Sequence, residues 1–401
     1  MKIYFIVKNA YPYGKATAAR VYNYAKGFHE LQIPCEILIP ISIERHNKKP
    51  RNTEKEGYYK GTYFKYITKN PQRHKNGIIR KFSDIAGYLS TLRYIIRHVS
   101  KEDIVLIYEG GVLWHYMVAA VTHLKKAHVV MELNELPYGT GQETKTTEMR
   151  RKQMLAHVFP KYDGFIAISE ALKKLAESHS KREILKVPIL VSSELSGEIA
   201  PELGEYIFYS GSLSEQKDGV LGMLAGFGIA KKDPVCCNLK FFLTGQINDS
   251  PHAMQIKELL KEYGIESDVC FLGYLNNHDL RKYQRNCLLT IINKYPTQQN
   301  AYCFSTKLGE YLAFSRPVIT TNVGEAGYYL ENGKNAFIVE PCKPALLAEK
   351  IIYIITHREA SELIGDEGSI LTHTTFNYRY QTQRIINYFK NIIAETPLQK
   401  K

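Results

Sequence analysis

Short apolar runs, each followed by a stretch of helical spacing, recur from one end of the chain to the other. Ile3–Val7 reads as a first buried strand. After a loop containing Pro12 and Gly14, residues 18–31 place Val21, Tyr24, Ala25 and Phe28 on one helical face. Cys35–Ile39, Ile104–Tyr108, His128–Leu133 and residues 164–168 and 186–191 follow as strands, with Ser169 placed to cap a helix. The second half repeats the pattern more clearly, with strands expected at 207–210, 239–244, 269–272, 288–292, 318–320 and 336–339. Strand-helix alternation of this kind predicts an α/β chain with parallel sheets covered on both faces.

The 401 residues are too many for one ordinary domain and suit two. Residues 193–204 change texture to Ser, Gly, Pro and Glu and read as a linker. The expected division is 1–195, 205–375 and a closing amphipathic segment within 376–401. Residues 44–80 are polar, basic and weakly patterned, and read as a long loop or partly ordered insertion. Two domains of this type in sequence place a ligand cleft between the carboxyl ends of their strands.

Hydrophobic residues make up 44% of the chain, enough for sizeable cores, which excludes a disordered protein. The longest apolar stretch is broken by Glu109 and His115, so no run spans a bilayer. The apolar N-terminus meets Lys8 too soon for a signal peptide, and the expected location is the cytoplasm. Seven scattered cysteines without a CxxC pair read as free thiols rather than a disulfide framework or zinc site. The net charge of +13 is uneven: residues 1–200 hold 32 Lys and Arg against 19 Asp and Glu, and residues 201–401 hold 21 of each. Nucleic acid, an anionic membrane surface or a phosphorylated substrate would each answer that field, and so would a merely solvated basic face.

Two segments carry chemistry. Ser210 to Gly219 follows a strand and precedes a helical run. Gly211 lets backbone approach a ligand, and Lys217 adds positive charge near a helix start. Residues 304–317 form the second. Ser305 or Thr306 can cap a helix whose first N–H groups would face a diphosphate, with Lys307 in that turn. One turn on, Glu310 can accept two hydrogen bonds from a ribose diol, close enough to the helix start to stay ionised.

The ordered series Gly211…Lys217, Thr244-Gly245, Phe271-Leu272-Gly273, Lys307…Glu310-Tyr311-Leu312-Ala313, Pro317-Val318 and Asn322-Val323-Gly324 resembles the GT-B glycosyltransferases of family 4. The likeness covers the second half nearly from end to end, and the first half more loosely. It implies two Rossmann-like domains facing across a cleft, with a closing helix that crosses back to the first domain. It also implies a retaining transferase that uses a nucleotide-sugar donor, UDP- or GDP-linked, with no metal and no further cofactor. On that resemblance Lys217 neutralises the donor diphosphate, Ser305 and Thr306 bind phosphate oxygens and Glu310 holds the ribose. Gly14 belongs to the loop that closes over the donor.

Three positions depart from the pattern. Tyr302 stands where the family's Glu-x7-Glu motif has its first acid, leaving sugar selection open. Ser212 replaces the usual arginine, shifting diphosphate neutralisation toward Lys217 and Lys307. Asn134 occupies the place of a histidine near the anomeric centre, flanked by Glu132 and Glu135. Asn134 and Glu135 are therefore catalytic candidates with Lys217, although residues 132–137 also read as a plain strand end. Glu109 and His115 read as structural or surface groups.

The expected acceptor is a glycan or a polyprenyl-diphosphate-linked sugar in surface polysaccharide or glycolipid synthesis. The basic first half would meet an anionic membrane face. Alternatives are a nucleotide-sugar epimerase or phosphorylase of the same fold, or a nucleic-acid-binding protein. The last lacks any zinc spacing, RNA-binding aromatic motif or basic-zipper pattern, so no nucleic-acid partner is expected.

Overall fold

The computed structural model describes residues 1–14, 16–139, 143–192 and 197–395. Its contacts divide the chain into two units, Met1–Pro188 with the segment from Tyr378 onward, and Ile189–Asn377. Among the described residues, no helix is long and apolar enough to cross a membrane.

The first unit is built on strands β1 (Ile3–Val7), β2 (Cys35–Ile39), β3 (Glu56–Tyr59), β4 (Thr62–Tyr66), β5 (Ile104–Tyr108), β6 (His128–Leu133), β7 (Gly164–Ala167) and β8 (Ile184–Lys186). They form one sheet in the order β3-β4-β2-β1-β5-β6-β7-β8, parallel apart from the β3–β4 hairpin. Strands β1, β5 and β6 are buried along their whole length. Helices α1 (Ala16–Glu30), α2 (Gly77–His98), α3 (Val112–Leu124), α4 (Lys145–Gln153) and α5 (Glu170–Glu177) connect them. Ser169 caps α5, its hydroxyl accepting from Leu172 N at 3.3 Å.

Residues 44–80 are more ordered than their composition predicts. They hold the β3–β4 hairpin and the start of α2. Lys60 and Gly61, both at positive φ, make the two-residue turn between Tyr59 and Thr62. β3 lies at the sheet edge with alternate residues exposed, so its polar character suits a strand covered on one face. The strand expected at 186–191 lies earlier, at Ile184–Lys186.

The second unit contains β9 (Tyr206–Tyr209), β10 (Lys240–Leu243), β11 (Val269–Phe271), β12 (Leu289–Ile292), β13 (Val318–Thr321) and β14 (Phe337–Val339). All pair in parallel, in the order β11-β10-β9-β12-β13-β14. Its helices are α6 (Glu215–Asp218), α7 (Val220–Ala230), α8 (Ala253–Tyr263), α9 (Asn277–Asn286), α10 (Gln298–Tyr302), α11 (Thr306–Leu312), α12 (Pro344–Thr356) and α13 (Arg358–His373). Val220, Phe227, Phe241, Ile291, Leu347 and Ile351 share its core. Of the segment expected as a linker, residues 193–196 lie outside the described residues. The remainder runs along α9: Ala200 N donates to Asn286 Oδ1 at 2.8 Å, and Asn286 Nδ2 to Glu198 O at 2.7 Å.

The last helix, α14 (Tyr378–Glu395), belongs to the first unit. It buries Ile385, Ile386, Tyr388, Phe389 and Ile392. Phe389 meets Phe28 of α1 at a ring separation of 6.4 Å, and Tyr388 Oη accepts from Phe165 N at 2.9 Å.

Each sheet reverses its strand order once, between β1 and β5 in the first unit and between β9 and β12 in the second. In open parallel sheets the loops leaving the carboxyl ends of two such strands diverge and open a crevice, where ligands bind.

Candidate functional site

In the second unit the crevice is lined by the loop after β9 and by the residues after β12. Three charged side chains converge there. Asp218 is 3% exposed, and its Oδ1 accepts from Lys307 Nζ at 2.6 Å and lies 3.8 Å from Lys294 Nζ. Burial pushes the Asp218 carboxyl up, but Lys307 and Lys294 outweigh it and hold the carboxyl below the usual carboxylate range. Burial works the other way on Lys294 and lowers its pKa despite the carboxylate beside it. Lys294 Nζ also donates to Lys217 O at 3.2 Å and to Asn300 Oδ1 at 3.3 Å. Two ammonium groups thus share one carboxylate, leaving one positive charge in excess.

The surrounding side chains explain the glycine at 211. A side chain there would press on the Lys307 ammonium, since a Cβ would stand 2.6 Å from Nζ. Lys307 also donates to Tyr209 Oη at 3.1 Å and lies 4.8 Å from the centre of that ring. Gly211 N donates to Thr244 Oγ1 at 2.8 Å. Tyr311 ties α11 to the end of β9 by accepting from Ser210 N at 2.7 Å, which delivers Lys307 one turn earlier on the same helix. Lys217 stands on α6 with its side chain exposed, and it meets the cluster through its carbonyl.

Ser305 is the N-cap of α11 and makes no side-chain capping bond; Thr306 opens the helix. Both are half-buried, as is Tyr302 at the end of α10. Glu310 follows on α11 and accepts from Gln284 Nε2 at 3.4 Å. The helix start was expected to help keep Glu310 ionised, and burial works against it. Burial raises its pKa more than Gln284, Lys307 and Arg281 lower it.

In the first unit the carboxyl ends of β1, β5 and β6 carry their own polar set. Gly14 is exposed in the β1–α1 loop, where a Cβ would stand 2.6 Å from both Ala10 O and Ala18 Cβ. Asn9 Nδ2 donates to Glu109 Oε2 at 3.1 Å across the point where strand order reverses. Glu109 holds φ at 60°, an unusual conformation for a residue with a side chain, and such strain gathers at functional sites. Burial raises its pKa, and the nearby Glu135 charge adds to the rise. His115 is structural: buried, bonded through Nδ1 to Tyr162 Oη at 2.7 Å, with its pKa lowered to about 3 by burial.

Asn134 lies just past β6, and its Nδ2 donates to Glu132 Oε1 at 3.0 Å. A carboxylate only accepts, so the amide nitrogen must face it. The amide oxygen is then turned the other way, buried and without a hydrogen-bond partner. Glu132 is itself fixed by Arg20 Nε at 2.7 Å and Tyr24 Oη at 3.1 Å. An orphan acceptor held this firmly suits a hydroxyl donor from a ligand.

The structure therefore brings together Gly211, Lys307 and Glu310 with its helix start in one unit, and Asn134 and Glu135 with Glu109 in the other. Sequence reasoning did not single out Asp218 or Lys294, and it read Glu109 as a structural or surface group. Glu109 and Lys294 lie just past the ends of β5 and β12, where position at a carboxyl strand end was the available signal, and Asp218 lies inside the 210–219 segment. Among the described residues no group of three or more His, Cys, Asp or Glu is arranged to hold a metal ion.

Residues 197–369 match the family described as glycosyl transferases group 1. A protein described as an uncharacterized glycosyltransferase from Methanocaldococcus jannaschii is 22% identical over 332 residues, covering 82% of this chain and 88% of that protein. Among solved structures, sucrose-phosphate synthase from Thermosynechococcus elongatus superimposes with a TM-score of 0.76 at 14% identity, covering 98% of this chain and all of its own. HepE from Anabaena, solved in complex with UDP-glucose, does so with 0.70 at 15% identity, over 98% of this chain and all of its own. The second unit carries a domain of the glycosyl transferases group 1 family, and the chain as a whole has the fold of the GT-B glycosyltransferases.

Proposed function

We propose that the protein is a retaining glycosyltransferase of family 4 that moves a sugar from a nucleoside-diphosphate sugar to a glycan or polyprenyl-diphosphate-linked acceptor. The observation that carries this reading is the excess positive charge of Lys294 and Lys307 over Asp218, at the strand-order reversal of the second unit. A leaving diphosphate gains negative charge as the glycosidic bond breaks. Preorganised ammonium groups in a partly dry site stabilise that charge, and they need no rearrangement as it develops.

Lys307 and Lys294 supply the fixed charge in this scheme, and Lys217, exposed at the rim, adds a mobile one. The backbone at Ser305 and Thr306 receives phosphate oxygens. Glu310 accepts from the ribose diol. The carboxamide oxygen of Asn134 accepts a hydroxyl of a bound sugar, and Tyr302 bears on which sugar is taken. Retention follows from front-face attack, with the departing phosphate receiving the acceptor's proton. Charge neutralisation by lysines supports a reaction that needs no metal. The UDP-glucose complex of HepE supports a uridine nucleotide, and the basic excess of residues 1–200 supports contact with an anionic membrane face.

A thermal-shift screen of UDP, GDP and their sugars tests the reading, because a ligand bound only by the folded state raises apparent stability. The expected result is a stabilising shift with one nucleotide series that survives a chelator and shrinks in Lys217→Ala. No shift with any nucleoside diphosphate would refute it.

A further inference from the structure

Helix α2 wears its amphipathicity inside out. It buries Gly87, Thr91 and Ile95 against the first unit. Gly87 packs so closely on the carbonyl of Pro40 that no side chain would fit. The larger apolar residues point to solvent: Ile78 is 67% exposed, Phe82 70%, Ile85 55%, Leu89 58% and Ile96 44%. With half-buried Leu92 they advance by alternate steps of four and three, which keeps them on one stripe of a helix. The stripe runs nearly the full length of the 22-residue helix. Ile79 widens it at 49% exposure, and the adjoining α3 exposes Leu113 at 69%. A contiguous apolar surface of this kind marks an interaction site.

Charge decides what covers it. Lys81, Arg93 and Arg97 flank the stripe and are exposed, with Lys75 before the helix and Lys101 after it. Asp84 supplies the only carboxylate of α2; it is half-buried and feels the charges of Arg73, Lys8 and Arg80. A second copy of the same face would set the cations of α2 against one another with no exposed carboxylate of the helix to match them. An anionic lipid surface offers acyl chains to the stripe and phosphates to the flanks. The helix is also preformed: Asn76 Oδ1 accepts from Ile78 N at 2.8 Å and from Ile79 N at 3.3 Å.

We infer that α2 is an interfacial anchor that lies in the plane of an anionic membrane, its Ile78–Phe82–Ile85–Leu89–Ile96 stripe in the acyl boundary. This rests on the reading above that the first unit meets such a membrane, and it assigns that contact to one helix face.

The test is co-sedimentation of the full chain with vesicles of phosphatidylcholine containing about one-third phosphatidylglycerol, and with phosphatidylcholine alone. The protein should bind the anionic vesicles and release from them as salt is raised. Phe82→Ser combined with Leu89→Ser should lower the partition coefficient by at least ~10-fold, from the apolar area withheld from lipid. Both residues are exposed, so the melting temperature and the nucleotide thermal shift should stay unchanged. Binding of the double variant equal to the parent would overturn the assignment to α2 while sparing the membrane reading. Absence of binding by the parent would overturn both. A concentration-dependent dimer in sedimentation velocity, dissolved by the same variant without any vesicle binding, would make a second copy the occupant and also overturn it.

Discussion

Replacing Asp218 with asparagine keeps the shape of the side chain and removes the only carboxylate between two lysines. Lys307 at 2.6 Å and Lys294 at 3.8 Å would then face each other's charge uncompensated. Breaking a buried pair by neutralising one partner costs roughly 3–5 kcal/mol. Here both ammonium groups keep other acceptors, in Tyr209 Oη, Lys217 O and Asn300 Oδ1, which brings the cost just below that range, to about 2–3 kcal/mol. For a unit of this size that is a fall in melting temperature of roughly 5–10 °C. Anion binding should move the opposite way. The excess positive charge doubles, and at site distances one further charge contributes about 1 kcal/mol, or roughly five-fold in affinity.

Paired measurements check this: thermal unfolding with and without UDP or pyrophosphate, repeated across acid pH. The sign with pH is fixed by the depressed Asp218 pKa. Its stabilising contribution is complete above the ordinary value of 3.8 and is lost as pH falls through the lower folded value. Parent and Asp218→Asn should therefore converge in strong acid. An unchanged melting temperature at neutral pH, or a weaker pyrophosphate response in the variant, would refute the reasoning.

Glu310→Gln should weaken nucleotide binding at neutral pH. In the parent, binding should fall as acid protonates Glu310, with an onset above the ordinary 4.5 because burial raises its pKa; titrations from pH 8 down to 4 should show that limb vanish in the variant. Phe389→Ala on α14 removes a fully buried ring and should cost about 3–5 kcal/mol in urea unfolding, without altering the nucleotide thermal shift per unit of occupancy.

The strands were easy to see because β1, β5, β6, β9, β12 and β13 are buried throughout, so their sequences are unbroken apolar runs. The β3–β4 hairpin escaped notice for the converse reason, since an edge strand with one exposed face keeps its polar residues. The motif residues Gly211, Lys307 and Glu310 were legible from order and spacing. The partner of Lys307 was not. Asp218 lies 89 positions away, and it is the pairing of β12 beside β9 that brings Lys294 into the same group. The helix start beside Glu310 is visible in sequence, whereas the burial that opposes its ionisation depends on the fold. The exposed stripe of α2 reads in sequence as an ordinary core face, and only the close seat of Gly87 reveals which way the helix is turned.

Arg20 supports two things at once. Its guanidinium donates to Glu132 at 2.7 Å and, from its other nitrogens, to Val187 O at 3.0 Å and Pro188 O at 2.6 Å. Pro188 is the last residue of the first unit before the chain passes on. The direction in which Asn134 points its oxygen and the anchorage of that crossing are therefore not independent variables. A lysine, with one point of charge in place of a planar fork, cannot serve the carboxylate and both carbonyls together. Any substitution at residue 20 meant to retune the amide would also loosen the segment that leads out of the unit after β8, and the two effects would have to be separated before either was credited to chemistry.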